Sequence, residues 1–192
     1  MDCSLKLNKL FSECIEELKS IGINVLDNKE VGKVIIRIAP RNAKRYGCCK
    51  QEEPDLASKY TVRRGRNRYI HYSRYKKHTI EISRWVMDLN DDIIKNTIMH
   101  EIIHCFPDCG NHGILFKNYA DRINVKLGYN ISRLGNKQED YEKSNLEYME
   151  KKYKYKIVCT NCGECFYRNR LNKNLLVRYR CGKCKGRLEV KI

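Results

Sequence analysis

Five residues, His100-Glu101-Ile102-Ile103-His104, carry the sharpest chemical signal in this chain of 192. On a helix, positions i and i+4 share a face, so the two imidazoles can grip one zinc ion. Glu101 then stands beside the metal, where a carboxylate can accept a proton from water. That is the equipment of zinc-assisted peptide hydrolysis. A catalytic zinc takes three protein ligands and leaves one position open. Three of the five histidines fall between positions 100 and 112, which makes His112 the expected third ligand. A carboxylate from the next helix is the alternative, but residues 114–126 hold no Glu and only Asp121. Cys105 and Cys109 lie close by and read as small buried side chains.

A second constellation lies near the C-terminal end. Cys159-Thr160-Asn161-Cys162 and Cys181-Gly182-Lys183-Cys184 are two C-x-x-C pairs with eighteen residues between Cys162 and Cys181. Four thiolates at such spacing suit a tetrahedral structural zinc site. Gly163 and Gly182 suit the tight turns that aim backbone amides at sulfur. Cys165 could replace Cys159 as partner of Cys162, although Cys159 makes the more regular turn. Two zinc ions are therefore expected, one catalytic and one structural.

These side chains need elements to place them. Ile94, Ile98 and Ile102 recur every fourth position, which predicts a helix over 91–106. Asn90 or Asp91 would cap it, Pro107 would stop it, and Gly110 would allow the turn before a second helix over 112–127. Upstream, Leu7, Leu10, Phe11, Cys14, Ile15 and Leu18 predict an amphipathic helix over 2–20. Alternation of Val34, Ile36 and Ile38 predicts a strand over 31–39, ended by Pro40. Residues 41–58 read as a polar loop, and 68–75 and 78–86 as strands of a hairpin about Lys76-Lys77. Residues 137–152, highly charged and without an apolar face, read as a linker or an exposed helix.

Charge points to a partner. The net charge is +16. Residues 151–192 carry thirteen Lys and Arg against Glu164 and Glu189, a net of +11. Residues 59–80 carry eight Lys and Arg and no acid, interleaved with Tyr60, Tyr69, Tyr72 and Tyr75. Cations neutralise phosphates and aromatic faces stack on unpaired bases. Arg63, Arg64, Arg66, Arg68, Tyr72 and Arg74, with Arg178 and Arg180 near the second C-x-x-C pair, are the candidate nucleic-acid contacts, with single strands expected from the base-stacking tyrosines. No apolar run approaches a membrane span. Met1-Asp2-Cys3-Ser4-Leu5-Lys6 leads into a helix without the apolar core of a signal peptide, so the eleven cysteines are expected to be reduced, in the cytoplasm or on the nucleoid.

The expected fold is α+β. An N-terminal helix, a small antiparallel sheet and the His-Glu-x-x-His helix, in zincin-like order over 1–136, precede a charged linker over 137–152 and a small zinc ribbon over 153–192. At this point the chain resembles the SprT-like (Spartan) metalloprotease family, bacterial type. The resemblance rests on Arg45-Tyr46-Gly47-Cys48, Ile80-Glu81-Ile82-Ser83, His100-Glu101-Ile102-Ile103-His104, Asn111-His112-Gly113-Ile114-Leu115-Phe116 and Arg122-Ile123-Asn124. The stretch from Tyr179 to Leu188 is similar to the ribbon of the bacterial members. The resemblance implies His100, His104 and His112 as zinc ligands and Glu101 as general base. It also implies DNA, with single-stranded DNA the expected form, as partner, and proteolysis of DNA-associated proteins, as in removal of proteins covalently trapped on DNA. Where the family often reads His-Gly-Pro-Glu-Phe, this chain reads His112-Gly113-Ile114-Leu115-Phe116. That departure bears on substrate positioning and leaves the ligands intact. The competing class is a non-catalytic zinc-containing nucleic-acid-binding or transcription-associated factor, in which Glu101 would have no task.

Overall fold

In the computed structural model, which describes residues 2–40, 44–133, 135–148, 153–172 and 174–191, the first element is α1 (Cys3–Ser20). The Asp2 carboxylate caps it by accepting from the Ser4 amide at 2.9 Å. Its buried stripe is Leu7, Leu10, Cys14 and Leu18, one residue per turn. Next come β1 (Lys33–Ile38), β2 (Gly47–Pro54), β3 (Lys59–Arg64), β4 (Asn67–Tyr72) and β5 (Tyr75–Ile82).

The main sheet has the order β1-β5-β2, with β5 parallel to β1 and antiparallel to β2. It is thus mixed, where an antiparallel sheet was expected. Parallel neighbours need a long connection, and residues 39–74 supply it. The expected loop over 41–58 is corrected in part: residues 47–54 form β2, while 41–43 lie outside the described residues. No apolar alternation announces β2 because its outward face is made of charge pairs. Lys50 meets Glu81 at 2.7 Å and Glu52 meets Lys77 at 3.1 Å. The expected hairpin about Lys76-Lys77 is also corrected. Those lysines lie inside β5, and the hairpin is β3 with β4, turning at Gly65 with φ +60°. After Ile82 the chain leaves the sheet for a short helical turn, Arg84–Asp88.

The inner face of β5 offers Ile80 and Ile82, both fully buried, to α2 (Asp91–Ile103). Asn90 caps α2 by accepting from the Ile93 amide at 3.0 Å, with Asp91 and Asp92 in the first turn to suit the helix dipole. Ile94, Ile98 and Ile102 are all fully buried. Each contributes about 1.5–3 kcal/mol through burial. Helix α3 (Ile114–Leu127) buries Phe116, Ala120 and Ile123 and ends on Gly128 in the left-handed conformation. Residues 137–143 form α4 (Lys137–Lys143); Tyr141 stacks on Trp85 at 6.1 Å, and Lys137 Nζ sits 3.8 Å above the Trp85 ring. Residues 149–152 lie outside the described residues.

The chain divides into a first unit, Met1–Tyr148, and a second, Met149–Ile192. The second holds β6 (Tyr155–Cys159), β7 (Cys165–Arg168), the single turn α5 (Leu175–Arg178) and β8 (Leu188–Lys191), paired antiparallel in the order β7-β6-β8. Its buried hydrophobic residues, among those described, are Ile157, Cys159 and Cys181. Among the described residues no helix is long and apolar enough to cross a membrane.

Candidate active site

Helical spacing places His100 and His104 on one face of α2, while Ile98 and Ile102 anchor the helix in the core. The third histidine arrives by a tight loop. Asp108 takes φ +57°, and Asn111 Oδ1 accepts from the Gly113 amide at 2.9 Å, so the chain folds back with His112 beside α2. The ligand nitrogens of His100, His104 and His112 all lie within 4.8 Å of one another, and His112 Nε2 stands 3.0 Å from His100 Nε2. Phe116, in the first turn of α3, packs against all three rings at centroid distances of 4.7–4.9 Å.

The donor chemistry fits a zinc ion. His104 Nδ1 is 2.6 Å from the Cys109 carbonyl oxygen. A carbonyl only accepts, so Nδ1 carries the proton and Nε2 keeps its lone pair. Burial, followed by the charges of His104 and His112, pushes His100 down to about 4. Burial also lowers His104 and His112 below the ordinary histidine value. Neutral imidazoles are the form that binds metal.

Glu101 is 5 % exposed and sits under the start of β2. A Cβ on Gly47 would lie 2.9 Å from Glu101 Cγ and 3.0 Å from its Oε1, so only glycine lets the strand pass this close. Burial pushes the Glu101 carboxyl up to about 7, with the Cys49 backbone amide and the Arg45 charge holding it back in part. The end of α2 is stitched to the same strand, because Gln51 Nε2 donates to the His104 carbonyl at 3.2 Å. A cleft of about 510 Å³ opens onto the histidines and Glu101, with Lys44, Arg45, Arg133 and Lys137 among its walls. Gly47, the Cys109 carbonyl, Phe116, Arg45 and Arg133 are site residues that sequence reasoning missed. The Tyr46-Gly47 pair was a signal for the first; the Cys109 carbonyl and Phe116 act over short loops whose path the sequence does not show, and Arg45 and Arg133 depend on contacts distant in the chain.

In the second unit the four expected sulfurs come together, with Cys159 Sγ 3.4 Å from Cys184 Sγ and Cys162 Sγ 3.6 Å from Cys181 Sγ. Two tight turns form the sites, Gly163 N–H donating to the Cys159 carbonyl at 3.0 Å and Lys185 N–H to the Cys181 carbonyl at 2.9 Å. Cys165 is exposed and outside the cluster. The cluster suits a tetrahedral zinc.

The candidate nucleic-acid contacts separate into kinds. Arg63, Arg66 and Arg68 are exposed on the β3–β4 hairpin, with Arg63 directly opposite Arg68; Arg64 is described by its backbone alone. On the other hairpin face Tyr60 stacks with His71 at 5.7 Å. Tyr72 instead packs edge-on against Tyr75 at 6.4 Å, and Arg74 ion-pairs with Asp55 at 3.3 Å. Arg178 is exposed, while Arg180 donates to the Leu176, Val177 and Tyr179 carbonyls at the end of α5.

The profile of the SprT-like family matches residues 14–135, well over half of the chain. Similar proteins include Protein SprT-like of Oceanobacillus iheyensis, 29% identical over 114 residues, or 59% of this chain and 69% of that protein. Protein SprT-like of Lactococcus lactis subsp. lactis is 46% identical over 43 residues, or 22% of this chain and 28% of that protein. No solved structure gives a significant match. The chain belongs to the SprT-like family.

Proposed function

We propose that this protein is a zinc-dependent metalloendopeptidase with a zincin-like core, acting on DNA-associated proteins, including proteins trapped covalently on DNA. The observation that carries the reading is the histidine triangle with a buried carboxylate next to it: His100, His104 and His112 within 4.8 Å of one another, and Glu101 adjacent in sequence on the same helix. These three histidines would hold the catalytic ion, and Cys159, Cys162, Cys181 and Cys184 a structural one. Zinc, when bound to three neutral imidazoles, supplies Lewis acidity that lowers the pKa of a coordinated water toward about 7.

The protein groups do the rest. Glu101 accepts a proton from the attacking water and later returns it to the leaving amine. Its burial makes the carboxylate the stronger base, and the close passage of Gly47 fixes its orientation. The Cys109 carbonyl fixes His104, and Phe116 supplies an apolar backing that keeps the three rings in place. DNA association is supported by the net charge and by the exposed arginines of the β3–β4 hairpin.

The test is cleavage of a basic DNA-binding protein by the zinc-loaded chain, with and without single-stranded DNA, beside Glu101→Gln. DNA-dependent cleavage that vanishes in the variant is the expected result. Tight DNA binding by both proteins with no cleavage by either would favour a binding factor whose zincs are both structural.

A further inference from the structure

The cleft beside Glu101 differs in charge from the rest of its unit. Residues 1–148 carry 26 Lys and Arg against 20 Asp and Glu, a nearly balanced mixture. The cleft walls carry Lys44, Arg45, Arg133 and Lys137, and the sole acid among its lining residues is the buried Glu101. Several cations of this unit are set against carboxylates: Lys6 on Asp91, Arg37 and Lys50 on Glu81, Lys77 on Glu52, Lys95 on Glu13 and Glu17. Lys137 is engaged in its own way, over Trp85 and donating to the Lys44 carbonyl. Arg45 and Arg133 have no carboxylate partner among the described residues.

We propose that Arg45 and Arg133 are specificity residues that select a substrate segment bearing a carboxylate side chain beside the bond to be cut. The inference rests on the peptidase reading above and names its substrate class. Both arginines line the cleft that opens onto Glu101 and the three histidines. A guanidinium matches a carboxylate with two parallel hydrogen bonds. Both arginines are solvent-exposed, so their attraction for a carboxylate is open to screening by salt.

A peptide suits this place better than a nucleic acid does. The cleft opens onto the three histidines and Glu101, the groups that would act on a peptide bond, so side chains next to that bond would meet Arg45 and Arg133. The β3–β4 hairpin, with Arg63, Arg66 and Arg68 exposed, offers phosphates a separate set of cations. A consequence follows for substrates. Lysine-rich and arginine-rich tails would be repelled from the cleft, so a DNA-associated protein would be cut at its acidic segments.

The experiment uses the full chain and two fluorescein-labelled peptides of equal length, one carrying Asp and Glu at the flanking positions, the other Lys and Arg. Binding is read by anisotropy with Glu101→Gln, and cleavage as kcat/KM with the zinc-loaded wild type. The acidic peptide should bind and be cleaved about tenfold better or more at low salt, with the gap closing as salt rises. Arg45→Glu with Arg133→Glu should invert the preference. The milder Arg45→Gln with Arg133→Gln should level it while keeping two zincs per chain and an unchanged circular dichroism spectrum.

Equal binding of the two peptides would overturn the inference, as would a preference that survives the glutamine pair. Displacement of the acidic peptide by a single-stranded oligonucleotide whose own binding is lost in the glutamine pair would assign the cleft to nucleic acid instead. Cleavage of both peptides without preference would sink the inference and leave the peptidase reading standing. Selective binding without any cleavage would uphold the anionic-peptide cleft and remove the peptidase reading.

Discussion

The two candidate metal sites are built on opposite principles. The histidine triangle stands on a helix whose other face is driven into a core of fully buried residues, Ile94, Ile98 and Ile102 together with Ile80 and Ile82 from the sheet. The cysteine cluster belongs to a unit of some forty residues in which Ile157, Cys159 and Cys181 are the buried hydrophobics among those described. Domains that small rarely hold themselves together by burial alone. In the first unit the fold is expected to make the site, and metal then adds chemistry. In the second, metal is expected to make the fold.

The sharpest way to break this contrast is to remove metal. Chelation, or Cys181→Ser, should unfold the second unit, because a structural zinc contributes about 10–16 kcal/mol of apparent stability at neutral pH. The first unit should keep its helical signal. Limited proteolysis with far-ultraviolet circular dichroism reads both, and collapse of both units together would erase the distinction. On the chemical side, Glu101→Gln should lower kcat by about 10²–10⁴-fold with two zincs per chain retained. His112→Ala should leave one zinc, and a variant still holding two would remove His112 from the ligand set.

Gly47→Ala probes whether the first site depends on its scaffold. The new methyl must displace Glu101. A shift of about 1 Å can cost about 10²-fold in rate, so hydrolysis should fall while zinc content stays at two. Unchanged rates would mean that β2 can give way. In the core, Ile98→Ala should destabilise the first unit by about 2–5 kcal/mol in denaturant titration and leave the second untouched.

The smallest effect concerns pH. Burial depresses the pKa of His78, and neither ring nitrogen has a hydrogen-bond partner of sound geometry. Below its ordinary value of about 6.5 the unfolded chain binds a proton that the folded chain resists, so stability is complete above that pH and falls as pH drops through the window beneath it. The thermal midpoint of His78→Leu should therefore decline less than that of wild type between neutral pH and pH 5.5. Parallel declines would put the acid sensitivity elsewhere.

The sequence by itself determined whatever is local along the chain. The pairing of His100 with His104 needs only helical periodicity, the cap at Asn90 needs one side chain, and the two C-x-x-C turns close over a few residues. His112 was legible because a short loop brings it back. Tertiary structure alone decided what depends on distant strands. Strand β2 was hidden, since Lys50 and Glu52 take their partners from β5 and no apolar alternation marks them. With β2 unseen, its approach to Glu101, separated from Gly47 by more than fifty residues, was unseen as well. The same holds for Arg45 and Arg133, which line one cleft although they are far apart in the sequence. Hydrophobic periodicity records which face of an element is buried; it carries no record of which polar side chains will meet across a fold.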